Sequence, residues 1–296
     1  MNSVALSLLL VMALPSDKIG GVNSLGQPVL EHCRVSLIEE AQVPGRETGA
    51  LVQMDVREGQ EVKKGDEIGR IDDTKMAMLK KVKERELEAA LYQATNDVNV
   101  RFAEKAAAVA VKEWELVARA NKATPGAIAA IEVDKLKLGA QKAQLSIEQA
   151  QRDMKVAKLT GGVKSAEVEA AEADIQLRRI IAPLDGVVVH VYKHLGEWVP
   201  PGDPVVHIVR IDRLRIEGFV NAADLNPSEV DGRSVTVDAE LARGRKVRFT
   251  GKIVFVSPSV QAGGEYLVWA EVDNKQEDGH WLLRPGLTAT MTIHLK

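Results

Sequence analysis

The sequence has little of what marks several large protein classes. Its 296 residues include a single cysteine, Cys33, and only 4% aromatic residues. One cysteine excludes an intramolecular disulfide, and scarce aromatics mean that any core is built from Ala, Val, Leu and Ile. The formal net charge of −3 argues against a basic nucleic-acid-binding face. We therefore expect no nucleic-acid partner.

Motifs for catalysis are also missing. No Ser/His/Asp arrangement, phosphate-binding loop or paired carboxylates in a recognisable context occur in the sequence. His190 and His194 have a spacing that would suit metal ligands on a helix, but on a strand four residues span about 13 Å. We therefore predict no catalytic residue, no metal ligand and no cofactor-binding residue.

No apolar run is long enough to cross a bilayer, which takes about 20 residues. The N-terminal VALSLLLVMALPSD contains roughly eleven apolar residues, the length of a signal-peptide core. No Lys or Arg precedes it, and it has no clear A-x-A cleavage site. We interpret residues 1–27 as a signal peptide or an N-terminal anchor with a linker.

What the sequence does contain is an internal repeat. Three glycines recur at a constant offset of 137 positions: Gly49, Gly59 and Gly65 return as Gly186, Gly196 and Gly202. The segments GALVQMDVREGQEVKKGDEIGRI and GVVVHVYKHLGEWVPPGDPVVHI alternate apolar and polar residues, which predicts short antiparallel strands joined by glycine turns. Because neither half alone could bury an apolar face, we expect the two to pack as one pseudo-symmetric β-domain.

Between the two halves the pattern is helical. A heptad seam of mostly small residues predicts a returning helix: Leu136, Ala140, Ala143, Ile147, Ala150, Met154 and Ala157. The outgoing seam is assigned to Leu87, Leu91, Ala94 and Val98, and after a stutter to Phe102, Ala106, Val109, Leu116 and Ala120. NKATPGA predicts the turn between the helices, and Thr160-Gly161-Gly162 predicts a kink or break. The hairpin should be about 70 Å long.

The last segment, from about residue 212 to residue 296, again alternates apolar and polar residues. Stretches such as SVTVDAEL, KVRFTGKIVFV and TATMTIHL predict five or six short strands, which suggest a small β-barrel.

Lys75, in RIDDTKMAMLKK, suggests a second hypothesis. A lysine after a glycine-rich β-segment is the attachment site of biotin or lipoate in carrier subunits of multienzyme complexes. However, the residues after Lys75 are good helix formers, and Asp72 or Asp73 with Thr74 suits a helix N-terminus. We predict the start of a helix here and keep the carrier subunit as the alternative.

The order of these segments resembles the periplasmic adaptors of tripartite efflux and secretion systems, the HlyD-like membrane fusion proteins. The resemblance rests on GALVQMDVREGQEVKKGDEIGRID, IIAPLDGVVV, LRIEGFVNAADLNPSEVDGRSVTV and LRPGLTA. It implies a mixed α and β multidomain fold, with an α-helical hairpin inserted into a split lipoyl-like domain and a small β-barrel after it. The expected bounds are residues 28–72 and 180–211 for the lipoyl-like domain, 73–179 for the hairpin and 212–296 for the barrel.

The resemblance also implies a function without catalysis, in the periplasm or tethered to the inner membrane. The expected partners are an inner-membrane transporter of the RND or ABC type, an outer-membrane channel, and further copies of the chain in a ring. One departure concerns the channel: many adaptors have an Arg-Leu-Ser signature at the hairpin tip, whereas Ala129 stands where the serine would be. We predict partner contacts for five tip residues: Asn121, Lys122, Thr124, Pro125 and Ile128.

Overall fold

The structure, a computed structural model, describes residues 21–22, 26–126 and 128–295. The predicted signal peptide or anchor in residues 1–27 lies almost entirely outside the described residues. In chain order, the strands are β1 (Gly21–Val22), β2 (Pro28–Leu37), β3 (Glu40–Pro44), β4 (Gly49–Met54), β5 (Glu61–Val62), β6 (Glu67–Ile71), β7 (Arg179–Ile181), β8 (Gly186–Val191), β9 (Trp198–Val199), β10 (Pro204–Val209), β11 (Arg213–Asn221), β12 (Ser234–Glu240), β13 (Lys246–Val260), β14 (Glu265–Asp273), β15 (Gln276–Glu277), β16 (His280–Trp281) and β17 (Thr288–Ile293). The helices are α1 (Thr74–Thr95), α2 (Val98–Ala123), α3 (Ala130–Gln176) and α4 (Pro227–Val230).

The two halves of the repeat form two four-stranded sheets that share their strands. One sheet has the order β3-β10-β8-β5 and the other β7-β6-β4-β9. Each sheet therefore takes two strands from each half, and exchanging the halves converts one sheet into the other. A common core fills the space between the sheets, with residues from both halves at equivalent positions, such as Leu51 and Val188 or Val62 and Val199. This is the split lipoyl-like domain that the sequence predicted.

The repeated glycines have the backbone conformations that the turns require. Gly59 and Gly196 have φ values of 86° and 88°, and Gly65 and Gly202 have 95° and 88°. A side chain disfavours this left-handed region, whereas glycine enters it without steric cost. The offset of 137 positions thus reflects two copies of the same pair of turns.

The C-terminal segment forms a closed antiparallel barrel. Its strand order is β2-β11-β14-β13-β12-β17, closed by pairing of β17 with β2, and β1 adds to the edge of β2. The structure places β2 in this barrel, whereas the sequence assigned residues 28–37 to the lipoyl-like domain. The physical reason is closure: β2 pairs with both β11 and β17 and buries Cys33 and Val35 in the barrel core.

The helical segment is an antiparallel hairpin. The outgoing arm is α1 followed by α2, and the returning arm is α3, whose 47 residues extend about 70 Å at 1.5 Å per residue. The arm breaks at Asn96, which has extended backbone angles. The Asn96 side chain explains this break, because its Oδ1 accepts a hydrogen bond of 3.1 Å from the Val98 N–H in competition with the helix.

The hairpin seam matches the prediction on α3 and at Leu87 and Ala94 of α1, but not on α2. All seven predicted α3 residues are buried or half-buried. On α2 the buried residues are Ala103 and Ala107, one position from the predicted seam, whereas Phe102, Val109 and Leu116 are 74%, 57% and 63% exposed. Leu91 and Val98 are also exposed. Two sets of apolar residues overlap on α2, one large and one small. The small residues face α3, because they allow the two helices to pack more closely.

The predicted break at Gly161 and Gly162 is wrong, because α3 runs without interruption through both residues. Gly161 is buried, and a Cβ atom built there would lie 3.4 Å from Leu91 Cδ2. This distance is an ordinary van der Waals contact, so α1 packs directly against α3 at this level. Gly162 faces outward, with no atom within 4 Å of the Cβ position.

Gly162→Ala should stabilise the hairpin. Alanine is favoured over glycine inside an exposed helix by about 1 kcal/mol, and the Cβ position at residue 162 is open. We expect a higher melting temperature and slower amide hydrogen exchange around residues 158–166. Gly139→Ala, at a second open position of α3, is the matched control and should have a similar effect. A loss of stability in Gly162→Ala alone would show that α3 needs a bend at this point.

Near the base of the hairpin, a group of four charged residues lies in the contact between α1 and α3, where alanines pack elsewhere. Lys83 contacts Glu86 and Glu167 at 3.3 and 2.9 Å, and Lys164 contacts the same two carboxylates at 2.8 and 3.1 Å. Hydrogen bonds from Lys164 and Lys83 lower the pKa of the Glu86 carboxyl. The four groups join α1 to α3, and a charged layer of this kind favours one register of two antiparallel helices.

Candidate functional site at the hairpin tip

The chain reverses direction at the hairpin tip through a short Pro-Gly turn. Helix α2 ends at Ala123, and the Thr124 N–H donates to the Ala120 carbonyl at 3.0 Å. Pro125 cannot continue a helix at this position, and Gly126 has a φ of 86°. The predicted turn NKATPGA thus lies where the sequence placed it, with Ala127 outside the described residues.

The five predicted contact residues all lie at this turn. Lys122, Thr124 and Pro125 are exposed, whereas Asn121 and Ile128 are half-buried. The Asn121 Oδ1 atom is buried and, within the described part of the chain, has no hydrogen-bond partner. A buried carbonyl oxygen without a partner costs free energy, so a donor that reached it would bind favourably. Whether partners use these residues stays a prediction.

The chemistry that this turn offers is contact rather than reaction. Its exposed groups are one ammonium, one hydroxyl and a proline ring, and Ile131 in the first turn of α3 is 79% exposed. Together they form a small amphipathic knob at the end of a rigid arm. Such a knob can fit a groove on another protein.

Groups elsewhere in the chain have structural roles. In the described ranges, no group of three or more His, Cys, Asp and Glu residues could hold a metal ion. Cys33 is fully buried, its thiol donates to the Leu30 carbonyl at 3.4 Å, and burial raises its pKa to about 12. A thiol that stays protonated is a poor nucleophile.

Lys75 does not have the setting of a carrier lysine. It is exposed in the first turn of α1 rather than on a β-turn. The Asp72 carboxylate begins this helix by accepting a hydrogen bond of 3.0 Å from the Thr74 N–H, and bonds from Thr74 lower the pKa of that carboxyl. The structure therefore favours the helix that the sequence predicted over the carrier alternative.

A cleft of about 770 Å³ lies between the lipoyl-like domain and the barrel, and it contains several carboxylates. These carboxylates have partners within the chain. Asp66 accepts a bond from the Lys63 N–H, Asp185 from the Lys64 N–H and Asp212 from Arg210. They hold turns in place and join neighbouring loops.

The sequence missed a second surface on the hairpin, the outer stripe. On α2 it consists of Phe102, Val109 and Leu116, which were assigned to the core, and on α3 of Ile131, Leu138 and Leu145. All six are more than half exposed, and within each helix they recur every seven residues. Their heptad spacing was detectable in the sequence, but it could not show which of two overlapping patterns faces inward.

Comparison with known proteins assigns this architecture to a family. Residues 39–211, more than half of the chain, match the family model of the RND MFP barrel-sandwich hybrid domain. The chain therefore belongs to the RND membrane fusion protein family, which consists of periplasmic adaptors in efflux and secretion.

Individual relatives are distant. An uncharacterized protein of Haemophilus influenzae is 27% identical over 145 residues, which make up 49% of this chain and 36% of that protein. The matched region thus spans about a third of that relative. A crystal structure of MacA from Actinobacillus actinomycetemcomitans aligns with 90% of this chain and 80% of its own at a TM-score of 0.61 and 19% identity. A MacA–MexA chimera with the Pseudomonas aeruginosa MexA α-hairpin aligns with 90% of this chain and 81% of its own at 0.52 and 18%.

These two structures share the fold with this chain. Within the described residues, no helix is both long enough and apolar enough to span a membrane.

Proposed function

We propose that this chain is a non-enzymatic periplasmic adaptor. It connects an inner-membrane transporter of the RND or ABC type to an outer partner, and substrates pass through the resulting assembly during efflux or secretion. The chain belongs to the cell envelope, exported or tethered to the inner membrane. Membership of the membrane fusion protein family supports this role.

The observation that carries the proposal is the form of the hairpin. About 70 Å of antiparallel helix leaves the lipoyl-like domain at α1 and α3 and ends in an exposed Pro-Gly turn. The hairpin places its contact surface far from the β-domains. Such a geometry suits a protein that contacts one partner with its β-domains and another with the distant tip of its hairpin.

The five tip residues are assigned to the outer partner, whether an outer-membrane channel or another envelope protein. Lys122 supplies charge, Thr124 and Pro125 supply exposed surface, and the half-buried Asn121 and Ile128 lie beside them. The lipoyl-like domain and the barrel are assigned to the transporter and to neighbouring copies. The work done is mechanical: the assembly seals a path and transmits conformational change.

Replacing residues 122–128 by a glycine–serine linker of equal length tests this function. We expect the variant to fold with unchanged thermal stability, because the tip has few internal contacts, and to lose more than 90% of the efflux or secretion activity. The measurement is substrate accumulation in cells that depend on this chain. A linker that replaces residues 261–264, the turn between β13 and β14, is the control and should retain activity. Full transport by the tip variant would disprove the assigned role of the tip.

A further inference from the structure

We propose that the junction between the lipoyl-like domain and the barrel is a rigid elbow, in which Asn274 and Arg210 are positioning residues that fix the angle between the two domains. The inference follows from the strand register and the hydrogen bonds at the junction. Its consequence for transport rests on the proposed function, since the angle decides where the hairpin points when the barrel is bound.

The backbone crosses between the two domains twice in the described part of the chain, and the two crossings run side by side. One crossing leads from β2 to β3, and the other leads from β10 to β11. On the lipoyl-like side Val209 pairs with Glu40, and on the barrel side Leu214 pairs with Leu37. The junction is therefore a two-stranded antiparallel ribbon rather than a single flexible linker.

The ribbon contains a bulge at the junction. Residues 210–213 of one crossing lie opposite residues 38–39 of the other. Additional residues on one strand bend that strand, and they leave backbone groups without partners in the ladder. The bend has a fixed direction only if other groups hold this part of the backbone.

Asn274, which directly follows β14, holds the bulge. Its N–H donates to the Asp212 carbonyl at 2.8 Å, and its Nδ2 donates to the Ile211 carbonyl at 2.9 Å. The same side chain is anchored in the barrel, because Nδ2 also donates to the Leu283 carbonyl at 2.8 Å and Oδ1 accepts from the Leu283 N–H at 2.9 Å. Leu283 is fully buried in the barrel core. Asn274 thus connects the bulge to that core, and both N–H groups of its amide have partners.

Arg210 joins the two crossings to each other. Its Nε and Nη2 atoms donate to the two carboxylate oxygens of Asp212 at 2.8 and 3.2 Å, and its Nη1 donates to Glu39 Oε2 at 3.3 Å. A single exposed ion pair contributes little stability, but a bidentate pair of this kind fixes a direction. Glu39 lies on the first crossing and Asp212 on the second, so the guanidinium restrains both strands at the bend.

A cleft beside the junction gives the domains room to move. The cleft of about 770 Å³ has residues of the lipoyl-like domain on one wall and Gln276 and Trp281 of the barrel on another. Gln276 Nε2 and Glu61 Oε1 lie 3.5 Å apart, the long limit of a hydrogen bond. Ile211 and Asp212 line the cleft as well, so a change in the bulge would change its width. The bonds of Asn274 and Arg210, rather than contacts across the cleft, set the angle.

Spin labels on the two domains test the elbow. In Lys64→Cys/Thr250→Cys, one label is attached to an exposed position of each domain, whereas Cys33 is fully buried and should not react. Dipolar spectroscopy on the full chain should give one narrow distance distribution. Adding Asn274→Ala or Arg210→Ala should make the distribution about twice as wide, because more angles become populated. A broad distribution in the parent, or an unchanged one in both variants, would overturn the proposal.

Arg248→Ala is the matched control. Arg248 Nε and Nη2 donate to the Asp238 carboxylate at the same 2.8 and 3.2 Å, but both residues belong to the barrel. This variant should leave the distribution unchanged, and equal widening would contradict the elbow. Thermal unfolding monitors the fold of each variant. If Asn274→Ala unfolds the barrel, Arg210→Ala alone decides, because Arg210 lies outside both cores.

Transport measures the consequence of the angle. If the required angle falls to about a tenth of the population, the apparent affinity for a partner that needs it falls about tenfold. We expect transport by cells that depend on the chain to fall in Arg210→Ala and to stay normal in Arg248→Ala. Normal transport in a variant with a widened distribution would disprove the role of the angle.

The elbow and the proposed function can fail separately. If the distribution stays narrow in both variants although cells need the chain for transport, the elbow is wrong and the adaptor role stands. If the distribution widens as expected but cells without the chain transport normally, the elbow is right and the adaptor role is wrong.

Discussion

Leu51→Ala is expected to unfold both halves of the lipoyl-like domain together, although the substitution lies in only one of them. Leu51 is completely buried on β4, and removing a buried leucine side chain costs about 3 kcal/mol. That is a large part of the 5–15 kcal/mol that keeps a typical domain folded. Because each sheet contains strands of both halves, β8 and β10 cannot remain ordered after β4 and β6 separate.

Hydrogen exchange measures this coupling directly. In Leu51→Ala, we expect amide protection to fall in residues 49–71 and in residues 186–209 to the same extent, whereas the barrel strands β12 to β14 keep theirs. Val52→Ala is the matched control, because the adjacent side chain is 50% exposed and its loss should change stability by less than about 0.5 kcal/mol. Faster exchange confined to residues 49–71 would mean that the two halves fold independently.

Phe102→Gln/Val109→Gln/Leu116→Gln is expected to leave the monomer folded, although it removes three large apolar side chains from α2. The three side chains are exposed, and glutamine is a good helix former, so the thermal stability of the monomer should stay within about 1 kcal/mol of the parent. Thermal unfolding monitored by circular dichroism measures the stability of the monomer.

Glutamine at the neighbouring buried positions of α2 should instead lower the stability of the hairpin. Ala103→Gln/Ala107→Gln places amide groups into the buried contact between α2 and α3, where added volume and an unpaired polar group each cost about 1–3 kcal/mol. We expect this control variant to lose stability in α2 and in the facing part of α3. A triple variant less stable than this control would mean that the outer stripe is the internal seam.

Much of the β-structure could be predicted from the sequence because its signals are local. The glycines repeat at one offset, since both halves need the same turns with φ > 0, and the alternating pattern follows from one buried face per strand. The local pattern does not show which sheet a strand joins. Strand β2 alternates as well as any other, but only closure against β11 and β17 places it in the barrel.

The hairpin shows a second limit. The returning seam was predicted because α3 has small residues at one clear set of positions, such as Ala140 and Ala150. On α2 the larger residues form an equally regular pattern, and hydrophobicity alone favours them as the core. Packing against α3 determines which residues of α2 are buried, because close contact between the two helices requires the small residues. The tip was found from Pro125 and Gly126, since turn chemistry is also local.

Cross-linking in intact cells of the native host tests the central claim most directly. The full chain, with a photo-activated cross-linker at the position of Lys122, is purified under denaturing conditions, and the attached proteins are identified by mass spectrometry. The same experiment with the cross-linker at Lys137, which is exposed and lies outside the tip and the outer stripe, is the control. The adaptor account predicts one envelope protein attached in stoichiometric amount at Lys122, a transporter that co-purifies with the native chain, and neither protein attached at Lys137. Recovery of the chain without any membrane transporter or envelope partner would contradict the account.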